Sequence, residues 1–223
     1  VLCFTSFHFE KSLGIYGLIL YLVITFLILL AIKNNSKSLL ELIDKFNPKY
    51  LFILFLVILA ISYSFGYPYE DVRSRGSDRD EALNQAVNEI TSFRYPYYVR
   101  TIVKGRPHDL GYDNNPITVM PGSVFFALPF VLLGNSTYQN FFGIAMLFLF
   151  LAYQYRSYGW SLLFIVSNIL LCGTFLFQIL IGSDYIANSI WVLIFTVLVI
   201  NNSRTCTPNS FLLSLILGVG LAS

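Results

Sequence analysis

YLFILFLVILAISYSFGYPY, residues 50–69, decides the class of this chain. The stretch holds no Asp, Glu, Lys, Arg or His. A helix of about 20 residues, rising 1.5 Å per residue, covers the ~30 Å hydrocarbon core of a bilayer. A water-exposed helix of that length would carry a polar face, and this one has none. Working outward, residues 13–32, 114–155, 157–183 and 185–203 are free of charge as well. Hydrophobic residues make up 56% of the chain and charged residues 12%, against about 25% charged in an ordinary soluble domain.

The expected fold is therefore all-α: a polytopic bundle of transmembrane helices with spans at about 13–32, 50–67, 138–155, 159–181 and 185–201. Residues 210–223 read as an incomplete span, which suggests that the sequence is a piece of a longer protein. The first run is full length and is followed by Lys33 and Lys37 rather than by a small-residue cleavage site, so it reads as a retained span and not as a signal peptide. A net charge of +2 gives no footprint for a nucleic-acid partner. Cys3, Cys172 and Cys206 are too scattered for a disulfide framework or a zinc spacing.

Between the first two spans, residues 33–49 hold Lys33, Lys37, Lys45 and Lys49 against Glu41 and Asp44. The positive-inside rule puts this segment in the cytoplasm. Leu39, Leu40, Ile43 and Phe46 recur at helical spacing within it, predicting a short interfacial helix. The second span then delivers residues 70–115 to the extracytoplasmic side. Residues 70–113 hold 15 of the chain's 26 acidic and basic residues, the count of 26 being 14 Lys and Arg plus 12 Asp and Glu. That concentration marks the loop as the solvent-facing working part. From Asp78 to Phe93, Leu83, Ala86, Val87 and Ile90 share one side, predicting an amphipathic helix along the membrane surface. Residues 116–134, interrupted by Pro129, read as a re-entrant element or a short span. If they do not cross, Arg156 falls on the side of Lys33–Lys49, and Asp184 on the side of the charged loop.

The stretch SRGSDRDEAL, residues 74–83, sets Asp78, Asp80 and Glu81 beside Arg75 and Arg79. Ser77 as a helix cap with acids in the first turn accounts for one or two of the carboxylates. It does not account for the cations, which continue in Lys104, Arg106 and His108. Transfer of a sugar from a lipid phosphate accounts for both signs. A carboxylate takes the proton of an acceptor hydroxyl, and cations hold the phosphate and stabilise its leaving charge. Tyr97 and Tyr98 suit the headgroup layer or a sugar face. Asp184 is either a boundary charge or cap for the next helix, or part of the site. Asp78, Asp80 and Glu81 diverge on one helical turn and make a poor metal cage by themselves, which leaves a divalent metal open as a cofactor and assigns no metal ligand.

SDRDEALNQAV, FRYPYY and NNPITVMPGSVFFALPFVLLG follow one another between Arg75 and Asn135. In that order they resemble polytopic glycosyltransferases of the GT-C fold, in their GT87-like and GT39-like branches, which use polyprenyl-phosphate sugars. The resemblance implies a glycosyltransferase with a catalytic acid at Asp80 or Asp78, and with Glu81, Arg79, Arg75, Lys104, Arg106, His108, Tyr97 and Asp184 around the substrate. It further implies a polyprenyl-phosphate sugar donor, a glycan, lipid or protein acceptor, surrounding membrane lipids, and a prokaryotic plasma membrane with the active loop extracytoplasmic. The rival readings are a transporter or lipid flippase, and a non-catalytic membrane assembly subunit.

Overall fold

The computed structural model describes residues 2–72, 79–98, 117, 119 and 121–203. Among these, every regular element is helical: α1 Leu2–Lys45, α2 Pro48–Val72, α3 Arg79–Thr91, a 3-10 turn Pro96–Tyr98, α4 Pro121–Leu132, α5 Tyr138–Tyr155, α6 Tyr158–Leu171, α7 Gly173–Leu180 and α8 Tyr185–Ser203. Two helical segments are long and apolar enough to cross a membrane, Val23–Lys45 and Pro48–Pro68. The number rises to three if α6 and α7 form one broken span. The helices at 121–132 and 185–201 are apolar but shorter. Of the five full spans expected from the sequence, the one at 50–67 lies within the segment Pro48–Pro68, and the one at 13–32 lies within α1 and overlaps the segment Val23–Lys45.

Two compact units divide the chain. The first comprises residues 1–61 and 148–177. In it α1 runs through the polar segment, correcting the separate interfacial helix expected at residues 33–49. Nothing breaks the helix there: Lys, Ser, Leu and Glu all propagate it, and residues 33–47 hold no Gly or Pro. The stop comes at Asn47, which adopts φ +55°, and Pro48 then opens α2 with a φ already fixed for a helix. Leu39, Leu40 and Ile43 are half-buried, and Leu40 reaches the first turn of α6 at Gly159. Phe52 stacks on Phe148 with ring centroids 3.9 Å apart.

The span expected at 159–181 is split. α6 and α7 meet at an 81° bend around Cys172. Just upstream, Ser167 Oγ and Asn168 Nδ2 both donate to the Phe164 carbonyl, at 3.0 and 2.7 Å. Such local bonds compete with the helical ladder, and Gly173 follows immediately with its low helix propensity.

The second unit comprises residues 62–147 and 178–223. Its core is the contact of α3 with α4: Ala82, Leu83, Ala86 and Val87 pack against Ile117, Val119, Val124 and Ala127. The 3.6-residue period of α3 is as the sequence predicts, but α4 covers the apolar face expected to lie on the membrane surface. Small residues at 82, 86 and 127 let the two helices approach closely. α3 ends in a Schellman turn in which Arg94 N–H donates to Glu89 O at 2.8 Å and Phe93 N–H to Ile90 O at 2.9 Å. Phe93 takes the left-handed position at φ +57°. α7 ends in the same motif, with Ser183 N–H to Gln178 O, Gly182 N–H to Ile179 O, and Gly182 at φ +76°.

Candidate functional site

A polar group builds up in the second unit where α2 ends, α3 begins and the α4–α5 and α7–α8 turns converge. Asp80, in the first turn of α3, is 1% exposed. The Tyr67 hydroxyl, one turn before the end of α2, donates to its Oδ2 at 2.5 Å. Ser136 Oγ donates to the Asp80 carbonyl at 3.3 Å. Gly182 forms the facing wall. A Cβ there would stand 3.2 Å from Asp80 Oδ2, 2.7 Å from the Tyr67 ring and 2.8 Å from the Thr137 methyl.

Asp184 is also 1% exposed and receives a two-pronged bond from Arg79, with Nε to Oδ1 at 2.5 Å and Nη2 to Oδ2 at 3.0 Å. Asn188 Nδ2, one turn into α8, donates to the same Oδ2 at 2.8 Å. The guanidinium lies over the Tyr185 ring, 4.4 Å from its centroid. The bonds from Arg79 to Asp184 raise the arginine's pKa, against an opposing effect of burial. Consecutive residues of α3 thus serve two carboxylates: Asp80 is itself one, and Arg79 clamps the other across 105 residues of sequence.

Hydrogen bonds tie the surrounding turns together. Tyr63 and Thr137 share a hydroxyl contact of 2.6 Å. Asn84 accepts from the Ser136 backbone at 2.8 Å through Oδ1, and its Nδ2 donates to Asn135 Oδ1 at 3.3 Å. Asn140, buried at the start of α5, donates to the Ser183 carbonyl at 2.8 Å and accepts from the Ala187 backbone at 3.2 Å. This single amide therefore holds the segment that carries Asp184 against α5. A buried amide bonded at both ends fixes a turn because breaking either bond leaves an unsatisfied group.

Of the residues singled out from sequence, Asp80, Arg79 and Asp184 come together, with Glu81 half-buried next to them on α3. Tyr97 does not join them. It lies beyond the other end of α3, where its hydroxyl donates to Val119 O at 2.9 Å and its ring meets Tyr95. Burial raises its phenol pKa. Asp78, Arg75, Lys104, Arg106 and His108 lie outside the described residues. Among the described residues no three His, Cys, Asp or Glu side chains converge as a metal group would need. Sequence reasoning missed Tyr67, Asn84, Asn140 and Gly182. The usable signals were slight: a tyrosine one turn before the charged loop, and an amide opening an otherwise apolar run.

The chain matches no family model, no curated protein and no solved structure in the comparisons made.

Proposed function

We propose that the chain carries the acid-bearing site of a GT-C-like membrane glycosyltransferase. The enzyme would move a sugar from a polyprenyl-phosphate donor to an acceptor hydroxyl on the extracytoplasmic side of a prokaryotic plasma membrane. The observation that carries this reading is the setting of Asp80. It is a buried carboxylate in the first turn of α3, engaged by Tyr67 from the end of an apolar helix of spanning length. A site at the end of such a helix suits a donor whose tail stays in the bilayer and whose head group reacts at its edge.

In the proposed step the acceptor oxygen attacks the anomeric carbon, the bond from that carbon to the phosphate oxygen breaks, and the phosphate leaves with the electron pair. The acceptor proton passes to the Asp80 carboxylate, which acts as general base. Asp78 is the second choice for that role. Tyr67 orients the Asp80 carboxylate. Arg79 is committed to Asp184, so its charge is largely balanced, and the pair holds the start of α3 in place. Phosphate binding then falls to Arg75, Lys104, Arg106 and His108. The bond from Tyr97 to Val119 favours a structural tie over a sugar platform.

The test uses the full-length protein in membranes supplied with labelled polyprenyl-phosphate sugars. Asp80→Asn keeps the shape and an acceptor oxygen for Tyr67 but takes up no proton. Transfer is expected to fall by about 10²–10⁴-fold with normal expression and melting. Undiminished transfer in Asp80→Asn sinks Asp80 as the base, and the same result in Asp78→Asn as well moves the site off this motif.

One observation favours the transporter reading: the bend between α6 and α7 resembles the discontinuous helices that line transport sites. Absence of transfer by the wild type with every donor, together with substrate-dependent flux in proteoliposomes, would establish that reading instead.

A further inference from the structure

The polar end of α1 meets the starts of two apolar helices in the unit formed by residues 1–61 and 148–177. One segment of spanning length ends at Lys45, the next starts at Pro48, and the bent pair starts at Tyr158. They are adjacent in space. Asp44 Oδ1 is 2.8 Å from where a Cβ on Gly159 would stand, and Lys49 Nζ lies 4.5 Å from the centre of the Tyr158 ring. Where two apolar helices begin beside the polar end of a third the hydrocarbon begins too, so this corner lies at the depth of the lipid headgroups.

The corner is cationic. Lys45, Lys49 and Arg156 are all exposed. The ion pairs found among the described residues are Arg79–Asp184 and Arg94–Glu89, so none of the three cations is neutralised by a carboxylate. Asp44, the acid nearest to hand, instead lies against the first turn of α6, where the positive end of the helix dipole favours it. Arg156 occupies the α5–α6 turn at φ +53°, a left-handed conformation that Gly or Asn adopts at lower cost. A guanidinium is thus kept at a strained turn two residues before Tyr158, the ring that Lys49 covers. Tyr50 follows Lys49, Tyr153 and Tyr155 precede Arg156, and Trp160 follows on α6; all four are exposed, aromatic residues suited to the boundary between hydrocarbon and headgroup.

We propose that this corner is a binding site for the headgroups of anionic phospholipids in the adjoining leaflet. Lys45, Lys49 and Arg156 supply charge to the phosphodiester, and the tyrosines pack along the glycerol region. A zwitterionic lipid offers the same phosphate with a cation of its own attached, so three unneutralised cations select the lipid with net negative charge. The site is independent of the glycosyltransferase reading: it lies in the other compact unit and uses none of the residues assigned to transfer.

The experiment is native mass spectrometry of the full-length protein in non-ionic detergent with equimolar phosphatidylglycerol and phosphatidylcholine. The wild type is expected to retain phosphatidylglycerol with a preference of about fivefold or more. The combined variant Lys45→Gln, Lys49→Gln, Arg156→Gln should fall to near equal uptake, while Lys45→Arg, Lys49→Arg keeps the preference. Equal uptake by the wild type, or an unchanged preference in the combined variant, overturns the proposal. Full displacement of phosphatidylglycerol by millimolar inorganic phosphate also overturns it, because the site would then serve a soluble anion. If the combined variant fails to fold, the three single glutamine variants carry the test, and an unchanged preference in all three overturns the proposal.

Discussion

Replacing Gly182 with alanine tests the wall of the candidate site. Gly182 sits at φ +76°, where an L-residue costs about 1 kcal/mol. The new methyl would also stand 2.7 Å from the Tyr67 ring and 2.8 Å from the Thr137 methyl. Neither neighbour swings away freely, since Tyr67 is held by Asp80 and Thr137 by Tyr63. Overpacking of this kind costs about 1–3 kcal/mol, so the total is about 2–4 kcal/mol. Gly66→Ala is the control. Its Cβ would meet Leu180 Cδ2 at a similar 2.8 Å, but that contact is the end of a flexible side chain, and Gly66 lies within α2. There alanine gains up to about 1 kcal/mol of helix propensity and the clash offsets it, leaving the net close to zero. The assay is unfolding in mixed micelles with rising SDS, followed by helical circular dichroism and by the fluorescence of Trp160 and Trp191. A Gly182→Ala protein no less stable than Gly66→Ala would refute the packing described around Asp80.

The Arg79–Asp184 pair should behave as one unit. Arg79→Gln or Asp184→Asn alone should cost about 1–3 kcal/mol, a range reduced for the partial exposure of Arg79, and the double variant should cost at least about 1 kcal/mol less than the sum in the same unfolding assay. The pH dependence follows from the raised pKa of Arg79. On the alkaline side the contribution of Arg79 is lost only as pH rises through a folded pKa raised above the ordinary arginine value, so Arg79 should add no slope between about pH 8 and 11. Tyr97 differs. Its neutral hydroxyl donates to Val119 O and its pKa is raised above 10.0, so its contribution is complete below pH 10 and lost as pH rises through the higher folded value. Helicity followed from about pH 9 to 12 should show that alkaline loss in the wild type and a smaller one in Tyr97→Phe.

Much of the architecture was legible locally. The uncharged stretch at 50–69 could only be satisfied as a helix with its own backbone bonds, and α2 occupies Pro48–Val72. The spacing of Leu83, Ala86, Val87 and Ile90 predicted α3 with its apolar face, since the 3.6-residue period is a property of the chain itself. What lay opposite that face was not legible, because membrane and α4 are equally apolar to a sequence pattern. The break between α6 and α7 was hidden for a related reason: composition registers apolarity but not two side-chain bonds to one carbonyl.

By itself, then, the sequence determined a helical chain with apolar helices of membrane length and an acidic motif at Asp80 within a loop rich in charges of both signs. These depend on neighbours within a turn or two and on the cost of placing charge in hydrocarbon. Only the tertiary structure decided that Arg79 belongs to Asp184, that Tyr67 and Gly182 enclose Asp80, and that Asn140 holds the turn between α7 and α8. Each of those contacts joins residues far apart in the chain, and their pairing is set by the packing of helices rather than by any local preference of the residues involved.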